Sequence, residues 1–559
     1  MTRIFRIAIP LALAASAWAQ DTALIGILQG ELDRNFTILK QKADPPPYFI
    51  SYTVTEQESY VLSATLGTLE SQNHSHVRQL DVSVRVGSRQ LDNYHQLNGG
   101  RPRYANSTLI PLGDVSSSIQ QRVWSETDRA YHAAAQRLIQ IKANQQVKVA
   151  EADNSADFSE EPPAVSVEAP PKLRVSSYEW ATRLRKLSAE FGNYPGVLNS
   201  SVGVTVQRSV ETLVTTEGTR LQHGRIFAHI SISAQGKAAD GMDLGTLDGF
   251  DASNPDRLPD DTEILTAIDR VAKDLTDLLK APPVDPYVGP AILSGRAAGV
   301  FFHEIFGHRV EGHRQKDENE GQTFTKSVGK PVLPDFLSVI FDPTRKSAVG
   351  TDLNGYYTYD DEGVQARPVS VVEDGILKTF LMSRSPIKGF AKSNGHGRKQ
   401  PGYEVVSRQS NLFVESKKTV SDKELRQQLR DEIQRQNKPY GLYFTEITGG
   451  YTTTQRRGLQ AFTVIPLIVY RVYADGRPDE MVRGVSIVGT PLASFAKILA
   501  TSNKPEVFNG ICGAESGGVP VSAVSPAILV GEIEVQRKQK SDDRPPFLPR
   551  PGPATGGQL

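Results

Sequence analysis

The stretch Ala291-Ile-Leu-Ser-Gly-Arg-Ala-Ala-Gly-Val-Phe-Phe-His303-Glu304-Ile-Phe-Gly-His308-Arg-Val-Glu311-Gly-His313 carries the densest chemistry in the chain. A short apolar run leads into Ala297, Ala298 and Gly299, residues small enough to let a helix pack closely. His303 and Glu304 then stand side by side as in the H-E-x-x-H zinc helix, but the second histidine arrives one residue late. On a regular α-helix, residues i and i+5 lie ~140° apart, against ~40° for i and i+4. His303 and His308 can therefore serve one site only if the helix bulges or ends between them, and Gly307 offers either route. The spacing alone also fits surface or capping histidines on an amphipathic helix.

Two further features point to metal. The chain has 10 His, and His303, His308 and His313 fall within a single eleven-residue window. The sole Cys lies far downstream, in the glycine-dense segment Asn509-Gly-Ile-Cys512-Gly-Ala-Glu-Ser-Gly-Gly-Val-Pro520-Val, which reads as a loop. A lone thiol excludes an intramolecular disulfide framework and is an oxidation hazard outside the cell. A metal thiolate gives it a use. Two imidazoles and a thiolate with an open fourth position suit a catalytic Zn²⁺, and Glu304, beside a ligand but not itself one, is placed to be the general base.

Around this centre the sequence organises into an α/β (α+β) protein. Ahead of it lies a helix-and-sheet domain, residues 20–286. Helices are expected over Thr22–Lys42, Ile119–Ala143, Tyr178–Phe191 and Asp261–Leu279, the last with Asp260 or Asp261 as cap. Alternating strands are expected over Tyr48–Thr55, Tyr60–Leu66, Leu80–Val86, Val197–Gln207 and Arg225–Ala234. Residues 151–171 hold six acids, four prolines and no basic residue, and read as an exposed loop or linker. A β-rich domain, residues 287–540, carries the metal site, with strands at Ser338–Phe341, Val369–Val372, Ile376–Leu381, Phe462–Val472, Val482–Ile487 and Ala527–Val535. Residues 541–559 read as a disordered tail.

The chain of 559 residues balances 63 Lys+Arg against 63 Asp+Glu, which argues against nucleic acid as a partner. At the start, Arg3 and Arg6 precede the apolar stretch Ile7–Ala15 and the small-x-small Ala17-Trp18-Ala19, an export signal with cleavage expected after Ala19. Beyond that segment no run reaches the ~18 apolar residues of a transmembrane segment. The expected location is periplasmic or secreted.

The motif His303-Glu304-Ile-Phe-Gly-His308-Arg-Val-Glu311-Gly312 resembles the signature of the TldD/PmbA family of metalloproteases, H-E-x-x-x-H-x-x-E-G. The likeness continues in order through Phe341-Asp342-Pro343-Thr344, Tyr359-Asp-Asp-Glu-Gly363, Glu373-Asp-Gly-Ile-Leu-Lys378 and Gly395-His396-Gly-Arg398. It runs on through Arg408 and Asn411, Gly441-Leu-Tyr443, Thr448-Gly449-Gly450, Arg483-Gly484, and Cys512-Gly513 with Val519-Pro520-Val521. The chain is similar to the histidine-bearing, active subunit of that family. The resemblance implies zinc on His303, His308 and Cys512, with Glu304 catalytic. It also implies a homodimer, or a heterodimer with a TldD/PmbA-like sister subunit, enclosing a cavity where short or unfolded peptides bind as an added strand. The alternative is a noncatalytic peptide-binding partner subunit, against which the intact histidine, glutamate and cysteine set speaks. Where family members commonly have Gly-Gln before Val-Pro-Val, this chain has Ser516-Gly517-Gly518.

Glu311 is open to three roles: a further ligand, a partner orienting a histidine, or a salt-bridge residue. His396, Arg398, Arg408, Asn411, Gly449 and Gly450 are candidates for the substrate cleft, His396 equally for a turn. His313 is expected to face solvent.

Overall fold

A computed structural model describes residues 14–97, 102, 104, 107–145, 153–456, 462–489 and 495–538. The start of the expected export signal, residues 151–152 of the acidic segment and the expected C-terminal tail lie outside the described residues. The fold is the mixed helix-and-sheet arrangement expected, with a β-rich C-terminal half.

The N-terminal half is built on one mostly antiparallel sheet. Its strands are β1 (Pro47–Thr65), β2 (Thr68–Val86), β3 (Ser107–Leu109), β4 (Val165–Val167), β5 (Asn199–Thr215), β6 (Arg220–Lys237) and β7 (Asp243–Ala252). The order is β3-β2-β1-β5-β6-β4, with β7 also paired to β6. Helices α1 (Ala14–Lys42), α2 (Ser116–Gln145), α3 (Ser177–Ser188) and α4 (Asp261–Lys280) contribute to the core on one face. Alternation sets that face: Tyr52, Val54, Leu62, Val204, Val206, Ile230 and Ile232 are buried, while the residues between them point the other way. Asp260 caps α4, its side chain accepting from the Glu263 amide.

Tyr48–Thr55 and Tyr60–Leu66 are not two strands but a single one. The polar break Glu56-Gln57-Glu58 stays in the sheet because its charges are met across it, Glu56 by Arg78 at 2.6 Å and Arg208 at 2.8 Å. The acidic segment is exposed at Glu160, Pro162, Pro163, Glu168 and Ala169 but anchored at its centre. Asp157, Phe158 and Ser159 are buried. The Phe158 ring lies 3.9 Å from the guanidinium carbons of both Arg85 and Arg384, so it clasps the two halves of the chain together.

In the C-terminal half, β8 (Tyr287–Leu293) runs parallel to the strand Gly441–Thr452 and antiparallel to Gly517–Arg537. Strands Phe462–Val472 and Val485–Gly489 complete a closed circuit of five, which leaves strand edges only where a strand runs past its neighbour. The expected strand Val482–Ile487 is interrupted at Arg483-Gly484, where Gly484 takes a positive φ of 70°. A helix at Asp422–Arg435, capped by Ser421 and Glu424 in a reciprocal box, escapes the periodicity reading because its mean hydropathy is low; the S-x-x-E spacing was its visible signal. No helix among the described residues is long and apolar enough to cross a membrane.

α5 (Gly295–Ile305) begins where β8 ends. The Ser294 hydroxyl accepts from the Ala297 amide and donates to the Thr445 carbonyl at 2.9 Å. Ala298, Phe301, Phe302 and Ile305 join a core cluster with Val464, Ile487 and Ile528. A Cβ at Gly295 would meet the Ser525 carbonyl at 2.5 Å and one at Gly299 the Ala523 Cβ at 3.1 Å. These glycines let α5 lie directly on the strand Gly517–Arg537.

Candidate metal centre

α5 ends at Ile305, and a 3₁₀ turn over Gly307–Arg309 follows. Of the two routes the spacing left open, the chain takes helix termination. Gly307 is required by a close approach: a Cβ there would stand 1.9 Å from the Gln409 Oε1. Gln409 in turn donates to the His303 carbonyl at 3.2 Å. Arg309 folds back to donate to the Glu304 and Ile305 carbonyls at 3.2 and 2.9 Å, satisfying acceptors that the helix end leaves open. Burial lowers its pKa to about 10.

Leaving the helix early swings His308 back beside His303, with ring centroids 5.1 Å apart. Cys512 arrives from the other end of the domain. It is not in a loop: it lies in the strand Ile498–Ala514, hairpin-paired with Gly517–Arg537, and stands opposite Val519. Its Sγ is 3.2 Å from His303 Nε2 and 3.4 Å from His308 Nε2, and the three ligand atoms lie within 4.8 Å of one another. All three residues are buried. Burial pushes the Cys512 thiol up, but the facing imidazoles of His308 and His303 outweigh it and hold it well below the usual thiol range. Burial likewise opposes charge on His308, whereas Cys512 and Glu311 hold its pKa well above the usual imidazole value.

That donor chemistry fits a soft-to-borderline divalent ion: a thiolate already favoured and two imidazoles whose Nε2 atoms face its sulfur. Glu304 stands at the edge of the set, its Oε2 4.0 Å from His308 Nε2.

Glu311 supports the centre from behind. It is fully buried, with Oε2 at 3.2 Å from His308 Nδ1 and accepting from Arg314 Nε at 2.8 Å, while Oε1 lies 3.4 Å from Arg408 Nε. Burial alone would raise its pKa, but His308, Arg314 and Arg408 together lower it to about 2. By engaging Nδ1 it fixes the His308 ring with Nε2 toward Cys512, the geometry of a partner orienting a ligand.

Several sequence candidates sit elsewhere than expected. Arg408 does not face the cleft: it is fully buried behind the centre and donates to the Cys512 carbonyl at 2.6 Å and to Ser516 Oγ at 2.7 Å. His396 is fully buried, its Nε2 3.1 Å from Ser410 Oγ, and burial lowers its pKa to about 3. Arg398 donates to the Gln409 and Pro520 carbonyls, both at 2.7 Å. Asn411 donates to the carbonyls of Asp342 and Arg345. These polar residues are consumed by backbone carbonyls that the irregular chain between strands leaves unpaired. His313 is not solvent-facing: it is buried and bonded to Glu515, which Arg314 also holds at 2.8 Å. Sequence reading missed Gln409, Arg309, Arg314 and Glu515. Only the basic Arg309 in the final turn carried a local signal.

His303, Glu304, His308 and Cys512 border a cavity of about 2180 Å³. Gly449 and Gly450, in the strand Gly441–Thr452, line it too. Its opposite wall is the face of the N-terminal sheet turned away from α1–α4.

Residues 287–537 match the PmbA/TldA metallopeptidase C-terminal domain. Among curated proteins, the chain is 30% identical over 274 residues to a metalloprotease of Archaeoglobus fulgidus, covering 48% of this chain and 58% of that protein. It is 26% identical over 253 residues to a zinc metalloprotease TldD homolog of Saccharolobus solfataricus, covering 44% and 51%. The chain thus spans little more than half the length of these relatives. In fold it is similar to TldE from Thermococcus kodakarensis, with a TM-score of 0.60 at 12% identity over 92% of this chain and 99% of that one. Residues 287–537 thus carry a C-terminal domain of the PmbA/TldA metallopeptidase type, and through that half the chain is similar to TldD/PmbA proteins.

Proposed function

We propose that this protein is a zinc peptidase hydrolysing short or unfolded peptides, with His303, His308 and Cys512 holding the metal and Glu304 as general base. The observation that carries this reading is the convergence of two imidazole nitrogens and one thiol, 204 to 209 residues apart in sequence, beside a carboxylate that borders a large cavity. Bound there, zinc would polarise a scissile carbonyl and acidify water.

The rest is the work of this chain. Glu304 takes a proton from the attacking water and delivers it to the leaving amine. Glu311 keeps His308 in one tautomer, and Arg408 ties the Cys512 backbone to that same carboxylate. The strand Gly441–Thr452 is paired to β8 only through Leu442–Phe444, so among the described residues the edge of Ile447–Thr452 away from Phe462–Val472 carries no strand. An extended peptide added there would be held by main-chain hydrogen bonds, tolerating many side chains. The cavity's walls come from both halves of the chain, which supports small or unfolded substrates over folded ones.

We propose further that the protein acts after export and removal of residues 1–19, as a homodimer or with a sister chain. The fold likeness to TldE supports the pairing. The testing experiment compares zinc content and peptide cleavage in wild type and Glu304→Gln. Near-stoichiometric zinc with activity down by ~10²–10⁴ supports the reading. Unchanged cleavage refutes the role of Glu304, and a wild type that binds zinc yet cleaves no peptide refutes the peptidase.

A further inference from the structure

The face of the N-terminal sheet turned away from α1–α4 has a feature that the metal centre does not explain. On β5, β6 and β7 the residues alternate between the helix-packed core and the cavity. Val204, Val206, Ile230 and Ile232 are buried in that core, and Thr205, Phe227, His229, Ser231, Gly249 and Asp251 line the cavity. Register places Thr205, His229 and Asp251 in one row across three strands, with Ser231 and Gly249 in the next. Most of this floor is small. Two rings rise from it: Phe227 and His229, i and i+2 on one strand, lie nearly parallel at 8° with centroids 6.4 Å apart.

The His229 ring is held. Its Nδ1 is 2.7 Å from Asp251 Oδ1, and it lies across Gly249, where a Cβ would meet His229 Cε1 at 2.8 Å. Glycine there is what lets the imidazole lie over β7. With Nδ1 donating to Asp251, Nε2 of the neutral ring is left as an acceptor, and no hydrogen-bond partner is found for it among the described residues. The histidine side chain is 37% exposed, so the group is open to the same cavity that the metal centre borders.

We infer that Phe227, His229 and Asp251 form a substrate subsite for an aromatic side chain bearing a hydrogen-bond donor, tyrosine or tryptophan. The aromatic ring stacks on the Phe227–His229 platform, and its O–H or N–H donates to His229 Nε2. Asp251 is a positioning residue that fixes the tautomer. The inference rests on the reading of the cavity as a peptide-binding chamber, and it adds a side-chain preference to main-chain binding that by itself has little.

The test uses the full chain carrying Glu304→Gln, zinc-loaded, equilibrated with a random octapeptide library, the retained peptides being identified by mass spectrometry. Retention should favour peptides containing Tyr or Trp by about tenfold, the combined worth of a ring contact and one hydrogen bond. His229→Ala, His229→Gln and Phe227→Ala, each in that background, should bring the preference close to unity while zinc content and melting temperature stay unchanged. Absence of aromatic enrichment, or enrichment that survives both the His229 and Phe227 changes, overturns the subsite. Cleavage by wild type without aromatic preference would sink the subsite and leave the peptidase standing. Aromatic retention lost on His229→Ala, with no cleavage by wild type, would do the reverse.

Discussion

Replacing Glu311 by Gln should cost both stability and metal affinity. The carboxylate is fully buried among His308, Arg314 and Arg408. A carboxamide keeps one acceptor oxygen but turns an N–H₂ toward one of the cationic donors and leaves the two guanidinium groups without their buried anion. Two routes give similar magnitudes. A shift from the usual 4.5 to about 2 corresponds to about 3 kcal/mol of differential stabilisation of the charged form. Breaking a buried ion pair from one side costs ~3–5 kcal/mol. The sign follows from the depressed value. The contribution is fully present above about pH 4.5, where unfolded Glu311 would already be ionised, and is lost as pH falls toward about 2. Denaturant unfolding of metal-free protein should show the variant about 3 kcal/mol less stable from pH 7 to 5, with the gap narrowing below pH 4.5. Zinc affinity should fall ~10–100-fold as His308 loses its orienting partner. A variant within ~0.5 kcal/mol of wild type with unchanged zinc affinity would refute the account of Glu311.

Gly307→Ala should displace Gln409 from the His303 carbonyl, because a Cβ there overlaps the amide at 1.9 Å; a loss of ~1–3 kcal/mol with weakened zinc binding is expected by calorimetry and metal titration. His313→Ala, which removes a buried partner of Glu515, should destabilise by ~1–3 kcal/mol in thermal unfolding while leaving zinc stoichiometry intact. N-terminal sequencing of native protein should begin at Gln20; a mature chain retaining Met1 would contradict export.

How much of this was legible in the sequence follows from the range of the interactions involved. The strands whose side chains alternate cleanly, such as Leu80–Val86 and Arg225–Ala234, announce themselves through a local period of two. The convergence of His303, His308 and Cys512 was legible because histidine and cysteine are scarce and chemically distinctive. The long strand β1 was misread because the charges that interrupt its alternation find partners on other strands, which no local window contains. The four glycines around Cys512 read as a loop, yet they sit in a tight hairpin in which Gly517 and Gly518 approach Gln400. Arg408, His396 and Asn411 keep their places in the family likeness for a different reason than substrate contact: each satisfies buried backbone carbonyls or a buried carboxylate. Residue type cannot distinguish an arginine facing a cleft from one behind it; only tertiary placement does.

The central claim is that a strand from the end of the domain brings Cys512 to two histidines at its start, completing one metal centre. Zinc K-edge X-ray absorption on the loaded full chain tests it most directly. One sulfur at ~2.3 Å and imidazole nitrogens at ~2.0–2.1 Å are predicted, with the sulfur shell lost and zinc affinity reduced in Cys512→Ser. A spectrum with no sulfur scatterer, or a Cys512→Ser protein that binds zinc as wild type does, would contradict it.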